Sequence, residues 1–149
     1  GGGRSSAEGL AYMNGVPLTA VNRNRETVRI SSNARGGEEF EIFLEYLFKK
    51  LGYKVIKRTK LTNDYGADLL IKDRTTNKKI AVQAKRYKNN IGLRAIQEVN
   101  TAIQYYDCNK GLLVTNSHLT NPAKKLANSI YNVEYWERED LVKKMNQIN

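Results

Sequence analysis

The chain has 149 residues, the length of one ordinary domain, and 40% of them are apolar, which is enough for a packed core and argues against wholesale disorder. Lysine and arginine total 25 against 15 acidic residues, and the resulting net charge of +10 favours polyanions as partners, with nucleic acid ahead of an anionic membrane. Cys108 is the single cysteine, which excludes an intrachain disulfide and suits a reducing compartment such as the cytoplasm. Since no apolar run approaches the roughly 20 residues that cross a bilayer, we expect no membrane partner.

Residues 1–37 differ in composition from the rest of the chain. They open with three glycines, contain scattered Ser and Asn, and show no sustained apolar period. We therefore expect an N-terminal arm or linker, part of which is a candidate for cloning-derived sequence. Val28 and Ile30 are compatible with a short strand that follows a turn. The second half of this arm is basic and could touch a phosphate backbone through Arg23, Arg25, Arg29 and Arg35.

A compact domain is expected over residues 38–149, because apolar periodicity begins there. Phe40, Phe43, Leu44, Leu47 and Leu51 recur at helical spacing. Asn121 is predicted to cap a later helix that has Pro122 in its first turn. The predicted order is helix, three strands, helix, strand, helix, strand, helix, over residues 40–51, 53–58, 67–71, 80–87, 92–106, 111–115, 121–130, 133–136 and 137–148. This order predicts an α/β fold with a mixed central sheet flanked by helices.

The strand over residues 80–87 carries polar groups where a buried strand should be apolar. Successive side chains of a strand point to opposite faces, so Gln83 and Lys85 share one face while Ile80 and Val82 share the other. Lysine is seldom fully buried without a partner. If both faces of this strand are covered, it is an unusual place for a lysine, although Lys85 taken alone is also compatible with a surface lysine whose charged end reaches solvent.

The preceding strand holds a single acid, Asp68, in an apolar run. A buried carboxylate is unfavourable unless it is paired or bound to a metal. If the two strands are neighbours, Asp68 and the amide oxygen of Gln83 form an oxygen-rich corner that suits Mg²⁺. Lys85 beside such a metal could orient water or stabilise developing phosphorane charge. On the first helix, Glu41 lies at the edge of the apolar stripe and is the glutamate best placed to reach this corner.

Four segments, residues 37–41, 51–55, 64–68 and 82–87, together resemble the catalytic domain of Mrr-type restriction endonucleases, which belong to the PD-(D/E)xK nuclease superfamily. The resemblance runs from about residue 36 to the C-terminus and keeps the order of the motifs. It implies a restriction-endonuclease-like fold and a metal-dependent DNA endonuclease with a role in restriction or defence against foreign DNA. It also implies Mg²⁺ as the cofactor, with Mn²⁺ as a substitute.

The resemblance assigns catalytic roles to four residues. Asp68 takes the place of the metal-binding acid, while Gln83 and Lys85 take the places of the (D/E) and the K. Glu41 takes the place of the acid on the first helix that assists the metal, so Asp68, Gln83 and Glu41 form the expected metal site. Ala67 stands where the superfamily pattern has Pro, which is a minor change. Gln83 removes a charge from the metal site, so metal affinity should depend more on the two remaining acids.

Several further residues are candidate DNA contacts. Arg86, Lys88 and Arg94 cluster after the polar strand and could contact phosphates, although each is also compatible with simple solvation. Gln97 lies on the following helix, where this family often has a polar residue near the site, and a solvent-facing role is an equal alternative. His118 is expected to have a surface or capping role.

The sequence leaves three hypotheses about the function open. The first is the restriction-type endonuclease, and the second is a Holliday-junction resolvase-like nuclease, which would cut four-way junctions far better than linear duplex. The third is a catalytically degenerate DNA-binding module, which would bind duplex without binding Mg²⁺. A homodimer is compatible with double-strand cutting, which usually needs two active sites. Mrr-type catalytic domains commonly sit beside a separate DNA-recognition domain, which would lie outside this chain.

Overall fold

The computed structural model describes residues 12–13, 16–17, 19–21, 27–29, 36–58 and 66–148, with side chains described over 40–56 and 66–148. Short N-terminal strands form two antiparallel pairs: β1 (Tyr12–Met13) with β2 (Val16–Pro17), and β3 (Thr19–Val21) with β4 (Thr27–Arg29). The rest of the order is α1 (Gly36–Lys50), β5 (Tyr53–Arg58), β6 (Leu69–Asp73), β7 (Lys79–Lys85), α2 (Leu93–Tyr105), β8 (Lys110–Thr115), α3 (Asn121–Ser129), β9 (Val133–Trp136) and α4 (Arg138–Gln147). From α1 onward this is the predicted order. The predicted strand at Val28 corresponds to β4, whereas Ile30 and the three arginines at 23, 25 and 35 lie outside the described residues.

The central sheet has five strands in the order β5-β6-β7-β8-β9. The first three strands are antiparallel neighbours, while β7, β8 and β9 are parallel, so the mixed sheet expected from the sequence is confirmed. The β6–β7 hairpin is closed by Asp73, whose Oδ1 accepts hydrogen bonds from the backbone N–H groups of Thr75 at 2.8 Å and Thr76 at 3.1 Å. These bonds lower the pKa of Asp73. The later strands are parallel because α2 and α3 carry the chain back across the sheet.

Helices cover both faces of the sheet. On one face, buried residues of α1 and α4 such as Phe43, Leu47 and Leu141 pack against Leu69 and Val82. On the other face, α2 and α3 pack over β8 and β9. No helix within the described ranges combines the length and apolarity needed to cross a bilayer.

The start of α3 differs by one residue from the prediction. Thr120, not Asn121, is the N-cap: its backbone is extended and its side chain accepts a hydrogen bond from the N–H of Ala123 at 3.2 Å. Asn121 is the first helical residue, and Pro122 lies in the first turn as expected. Since a cap accepts from the second or third helical N–H, a hydroxyl one residue earlier satisfies that geometry.

Candidate active site

Asp68, Gln83 and Lys85 meet at one edge of the sheet. Lys85 is the last residue of β7 and pairs in register with Thr115, the last residue of the parallel strand β8. Because β6 runs antiparallel to β7 and begins at Leu69, the chain enters β6 from the same edge, and Asp68 immediately precedes it. The N–H of Asp68 donates to the carbonyl oxygen of Val82 at 2.7 Å, which fixes this entry to β7.

The carboxyl group of Asp68 is anchored by two contacts. Its Oδ2 accepts a hydrogen bond from the backbone N–H of Ala84 at 2.7 Å, and its side chain is hydrogen-bonded to the side chain of Glu41. Burial raises the pKa of Asp68 above its ordinary value, while the bonds from Ala84 and Glu41 and the charge of Lys85 act in the opposite direction. A hydrogen bond between two carboxyl groups needs a proton on one of them, and a bound cation could take the place of that proton.

Glu41 reaches Asp68 from α1. It is half-buried and lies between Phe40 and Phe43, both of which are buried in the core. The helical stripe placed Glu41 at the edge of the apolar face, and the structure brings that edge over the entry to β6. The packing of α1 thus delivers a second carboxyl group to the sheet edge.

Gln83 and Lys85 form a second contact on the same edge. The amide of Gln83 is buried, with 7% of the residue exposed, and both of its atoms have partners in one orientation. In that orientation Nε2 donates to the carbonyl oxygen of Gly66 at 2.9 Å, and Oε1 accepts from Nζ of Lys85 at 3.1 Å. In the opposite orientation Nε2 faces the ammonium group and has only a long contact of 3.5 Å with Oε1 of Glu98, so the first orientation satisfies the amide better. The contact between Gln83 and Lys85 is the one that strand alternation predicts.

Glu98 joins the site without having been singled out from the sequence. Its Oε1 lies 3.4 Å from Nζ of Lys85. The buried face of α2 includes the small residues Ala95 and Ala102, whereas the large apolar residue Leu93 is exposed. Glu98 is spaced three residues after Ala95 and four before Ala102, which places it beside that face. The small residues of α2 therefore indicate that Glu98 lies near the site, because they let the helix approach the sheet.

The four expected DNA contacts lie in different settings. Lys88, Arg94 and Gln97 are exposed, while Arg86 is half-buried. The Nε of Arg86 is buried and has no hydrogen-bond partner within the described part of the chain. Arg94 and Lys85 line a cleft of about 280 Å³, together with Tyr87, Ile91, Gly92, Ala95 and Glu98. The ammonium of Lys85 lies 5.9 Å from the centre of the Tyr87 ring, which is half exposed.

The side chains at this edge fit a hard divalent cation. Glu41 and Asp68 are two hydrogen-bonded carboxyl groups, and a divalent cation could replace the proton between them. The amide oxygen of Gln83 is a third oxygen donor, and all-oxygen donor sets suit Mg²⁺ and Mn²⁺. In the described ranges no three His, Cys, Asp or Glu side chains are grouped to hold a metal ion. A cation at this edge would therefore be held by two acids and an amide rather than by three acids.

His118 lies beyond the end of β8 and contacts a residue of α4. Its Nε2 lies 2.8 Å from Oε1 and 3.1 Å from Oε2 of Glu139, near the start of α4. This contact lowers the pKa of Glu139. The surface role expected for the histidine agrees with this position.

The sequence matches the model of the Mrr_cat family, described as restriction endonuclease, over residues 33–145. A curated relative, the type IV methyl-directed restriction enzyme EcoKMrr of Escherichia coli (strain K12), is 30% identical over 108 residues. The alignment covers 69% of this chain and 36% of that enzyme, so the chain spans about a third of its relative's length. The family match contains α1, β7, α2 and the residue before β6, which supply the side chains described above.

Solved structures with the same fold include two restriction endonucleases. The DNA modification-dependent restriction endonuclease AspBHI aligns with a TM-score of 0.59 and 20% identity, over 72% of this chain and 30% of that one. MspJI restriction endonuclease, solved in complex with a 27-mer oligonucleotide, aligns with a TM-score of 0.50 and 16% identity, over 74% of this chain and 27% of that one. These similarities show a restriction-endonuclease-like fold.

Proposed function

The chain belongs to the Mrr_cat family of restriction endonucleases, and from that premise we propose that it is a metal-dependent DNA endonuclease that acts in restriction or defence against foreign DNA. The observation that carries this proposal is the contact between the carboxyl groups of Asp68 and Glu41, next to the paired Gln83 and Lys85. Such an arrangement is unfavourable as core packing, because it places two carboxyl groups at a partly buried edge, where they must share a proton or a cation. It is useful where a cation and a phosphate must be held side by side.

We propose Mg²⁺ as the cofactor, held by Asp68, Glu41 and the amide oxygen of Gln83, with Mn²⁺ able to replace it. When bound, a divalent cation polarises the phosphoryl group and lowers the pKa of the attacking water. The protein's own contribution is to fix the donors. The Ala84 N–H holds the Asp68 carboxylate against β7, and α1 holds Glu41 against it.

Lys85 supplies a positive charge for the scissile phosphate. Its ammonium has three donors, and the contacts with Gln83 and Glu98 leave it at the edge of the open cleft. Charge that develops on phosphate oxygens during hydrolysis is stabilised by such a pre-placed donor. Arg94, Lys88, Arg86 and Gln97 flank this position and are proposed to contact the DNA, the three cations through its phosphates.

The substrate and assembly are further proposals. EcoKMrr is described as methyl-directed and AspBHI as modification-dependent, which motivates methylated duplex as the first substrate to test. We propose that a separate domain outside residues 38–149 selects the target, since EcoKMrr is much longer than the matched region. A homodimer would provide the second active site for double-strand cutting.

Plasmid cleavage with purified protein tests the core of this proposal. We expect nicking with Mg²⁺ that stops on chelation and falls about 10²-fold or more in Asp68→Asn and in Lys85→Ala. Asp107→Asn and Lys110→Ala are matched controls at the opposite edge of the sheet, and both should retain activity. Full activity in a folded Asp68→Asn protein would refute the assignment. Methylated duplex, unmodified duplex, single strands and four-way junctions, tested side by side, define the substrate.

A further inference from the structure

The ammonium group of Lys85 lies between two oxygen acceptors from different elements. One is Oε1 of Gln83 on its own strand at 3.1 Å, and the other is Oε1 of Glu98 on α2 at 3.4 Å. The Lys85 side chain is 21% exposed and that of Glu98 is 40% exposed, so this pair is better shielded than an ordinary surface ion pair. The strand contact alone restrains Lys85 along β7, and the helix contact adds a restraint from the other side.

Glu98 is held in place through its backbone as well. A Cβ at Gly66 would lie 2.0 Å from the carbonyl oxygen of Glu98 and 2.6 Å from its carbonyl carbon, so the glycine lets α2 touch the segment that leads to Asp68. The same Gly66 accepts a hydrogen bond from the Gln83 amide. Gly66 therefore contacts both the backbone of Glu98 and the amide of Gln83, the two residues whose side-chain oxygens face the lysine.

We propose that Glu98 is a positioning residue that holds the Lys85 ammonium group at the phosphate-facing edge of the site. This inference rests on the proposed nuclease function, because the position of Lys85 matters only if Lys85 acts on a phosphate. Lysine has a flexible four-carbon stem and a compact charge, so without a second acceptor its ammonium would sample several positions. Small displacements of a catalytic group reduce the rate of the chemical step.

The negative charge of Glu98 allows a role in positioning Lys85 to be distinguished from a role in binding DNA. A carboxylate beside the cleft repels phosphate, so removing it should leave DNA binding unchanged or stronger. Loss of positioning should instead lower the rate at saturating substrate. We therefore expect kcat to fall while the KM for DNA stays the same or decreases.

Cleavage kinetics of three variants test the proposal. In Glu98→Ala, which removes the acceptor, we expect kcat at least tenfold below wild type with no increase in KM. Glu98→Gln keeps an oxygen acceptor and the side-chain shape, so it should recover part of this loss. Glu134→Gln is the matched control, because Glu134 forms a similar pair with Lys110 at 3.1 Å on the far side of the sheet, and it should behave as wild type. Unchanged kcat in a folded Glu98→Ala protein would overturn the proposal. So would a loss that disappears at high Mg²⁺, since this result would make Glu98 a metal ligand.

A measurement without DNA separates this inference from the proposed function. Nuclear magnetic resonance of protein with ¹³C-labelled lysines reports the order of the Lys85 Cε group, identified by its absence in Lys85→Arg. We expect this order to fall in Glu98→Ala and to stay unchanged in Glu134→Gln. An unchanged Lys85 signal in Glu98→Ala overturns the inference even if the wild-type enzyme cuts DNA. If the order falls but the wild-type protein cuts nothing, the contact is supported and the proposed function is what fails.

Discussion

Gly66→Ala is expected to damage both the stability of the domain and its active site. Gly66 has a φ of +82°, a backbone region that L residues rarely adopt. An added Cβ would also meet the carbonyl oxygen of Glu98 at 2.0 Å. The substitution therefore combines backbone strain with a collision against a helix.

The magnitude follows from these two contributions. A side chain in the left-handed region costs about 1–2 kcal/mol. To restore an ordinary contact of 3.4 Å, α2 must retreat by 3.4 − 2.0 = 1.4 Å at Glu98. Overpacking of this kind costs about 1–3 kcal/mol. We expect a value in the upper half of this range, because the colliding atom of Glu98 belongs to the backbone and cannot rotate away as a side chain could. The total loss in the free energy of unfolding is then about 3–5 kcal/mol.

Gly52→Ala is the matched control for the collision. Gly52 also has a positive φ, +100°, but its added Cβ would have no neighbour within 4 Å. We expect the free energy of unfolding of Gly52→Ala to fall only by the contribution of the strained backbone, about 1–2 kcal/mol, and its cleavage activity to equal that of wild type. Both variants should remain folded enough to measure, since domains of this kind have about 5–15 kcal/mol of stability.

Denaturant unfolding and plasmid cleavage on the same protein samples measure the two effects. Gly66→Ala should be less stable than Gly52→Ala by about 2 kcal/mol or more. It should also cut more slowly, because the retreat of α2 takes Glu98 away from Lys85. Equal losses of stability in the two variants, or full activity in Gly66→Ala, would refute the reasoning about this contact.

Two further predictions concern surface charges. Arg94→Ala should raise the KM for DNA several-fold with little change in kcat. The slope of binding affinity against salt concentration should also fall by the amount expected for about one lost phosphate contact, which titrations at several salt concentrations measure. A loss confined to kcat would contradict a phosphate-contact role. Glu139→Gln should lower the stability of the fold slightly at neutral pH. The contact with His118 lowers the pKa of Glu139 below its ordinary value of 4.5, so the ionised carboxylate stabilises the fold when the pH is above that value. This stabilisation is lost as the pH falls through the lowered pKa, so wild type and variant should converge in acid, and a difference that grows toward low pH would contradict the argument.

The sequence predicted the fold well because periodicity reports which faces are buried. From α1 to α4 the order of elements is confirmed, and the hairpin followed by parallel strands follows from chain connectivity. The predicted N-cap of α3 was wrong by one residue, because Thr120 and Asn121 are both good capping residues and only the backbone conformation distinguishes between them.

The site was predictable where it depends on strand geometry and less so where it depends on helix docking. Alternation along β7 places Gln83 beside Lys85 without any tertiary information. The position of Glu98 depends on how closely α2 approaches the sheet, which is set by Gly66 and by the alanines of the helix. Large apolar residues dominate a periodicity argument, so a face built on alanine is easily missed.

The structure gives a physical reason for an amide at position 83. In its satisfied orientation Gln83 donates to the carbonyl oxygen of Gly66 and accepts from Lys85. An ionised glutamate could accept from the lysine but could not donate, so it would place an oxygen against the Gly66 carbonyl. It would also add a third carboxyl group to the edge of the sheet that holds Asp68 and Glu41, whose side chains are already hydrogen-bonded to each other. The amide would therefore lower the charge of the proposed metal site while keeping an oxygen donor there, and it leaves Glu98 as the carboxylate that pairs with Lys85.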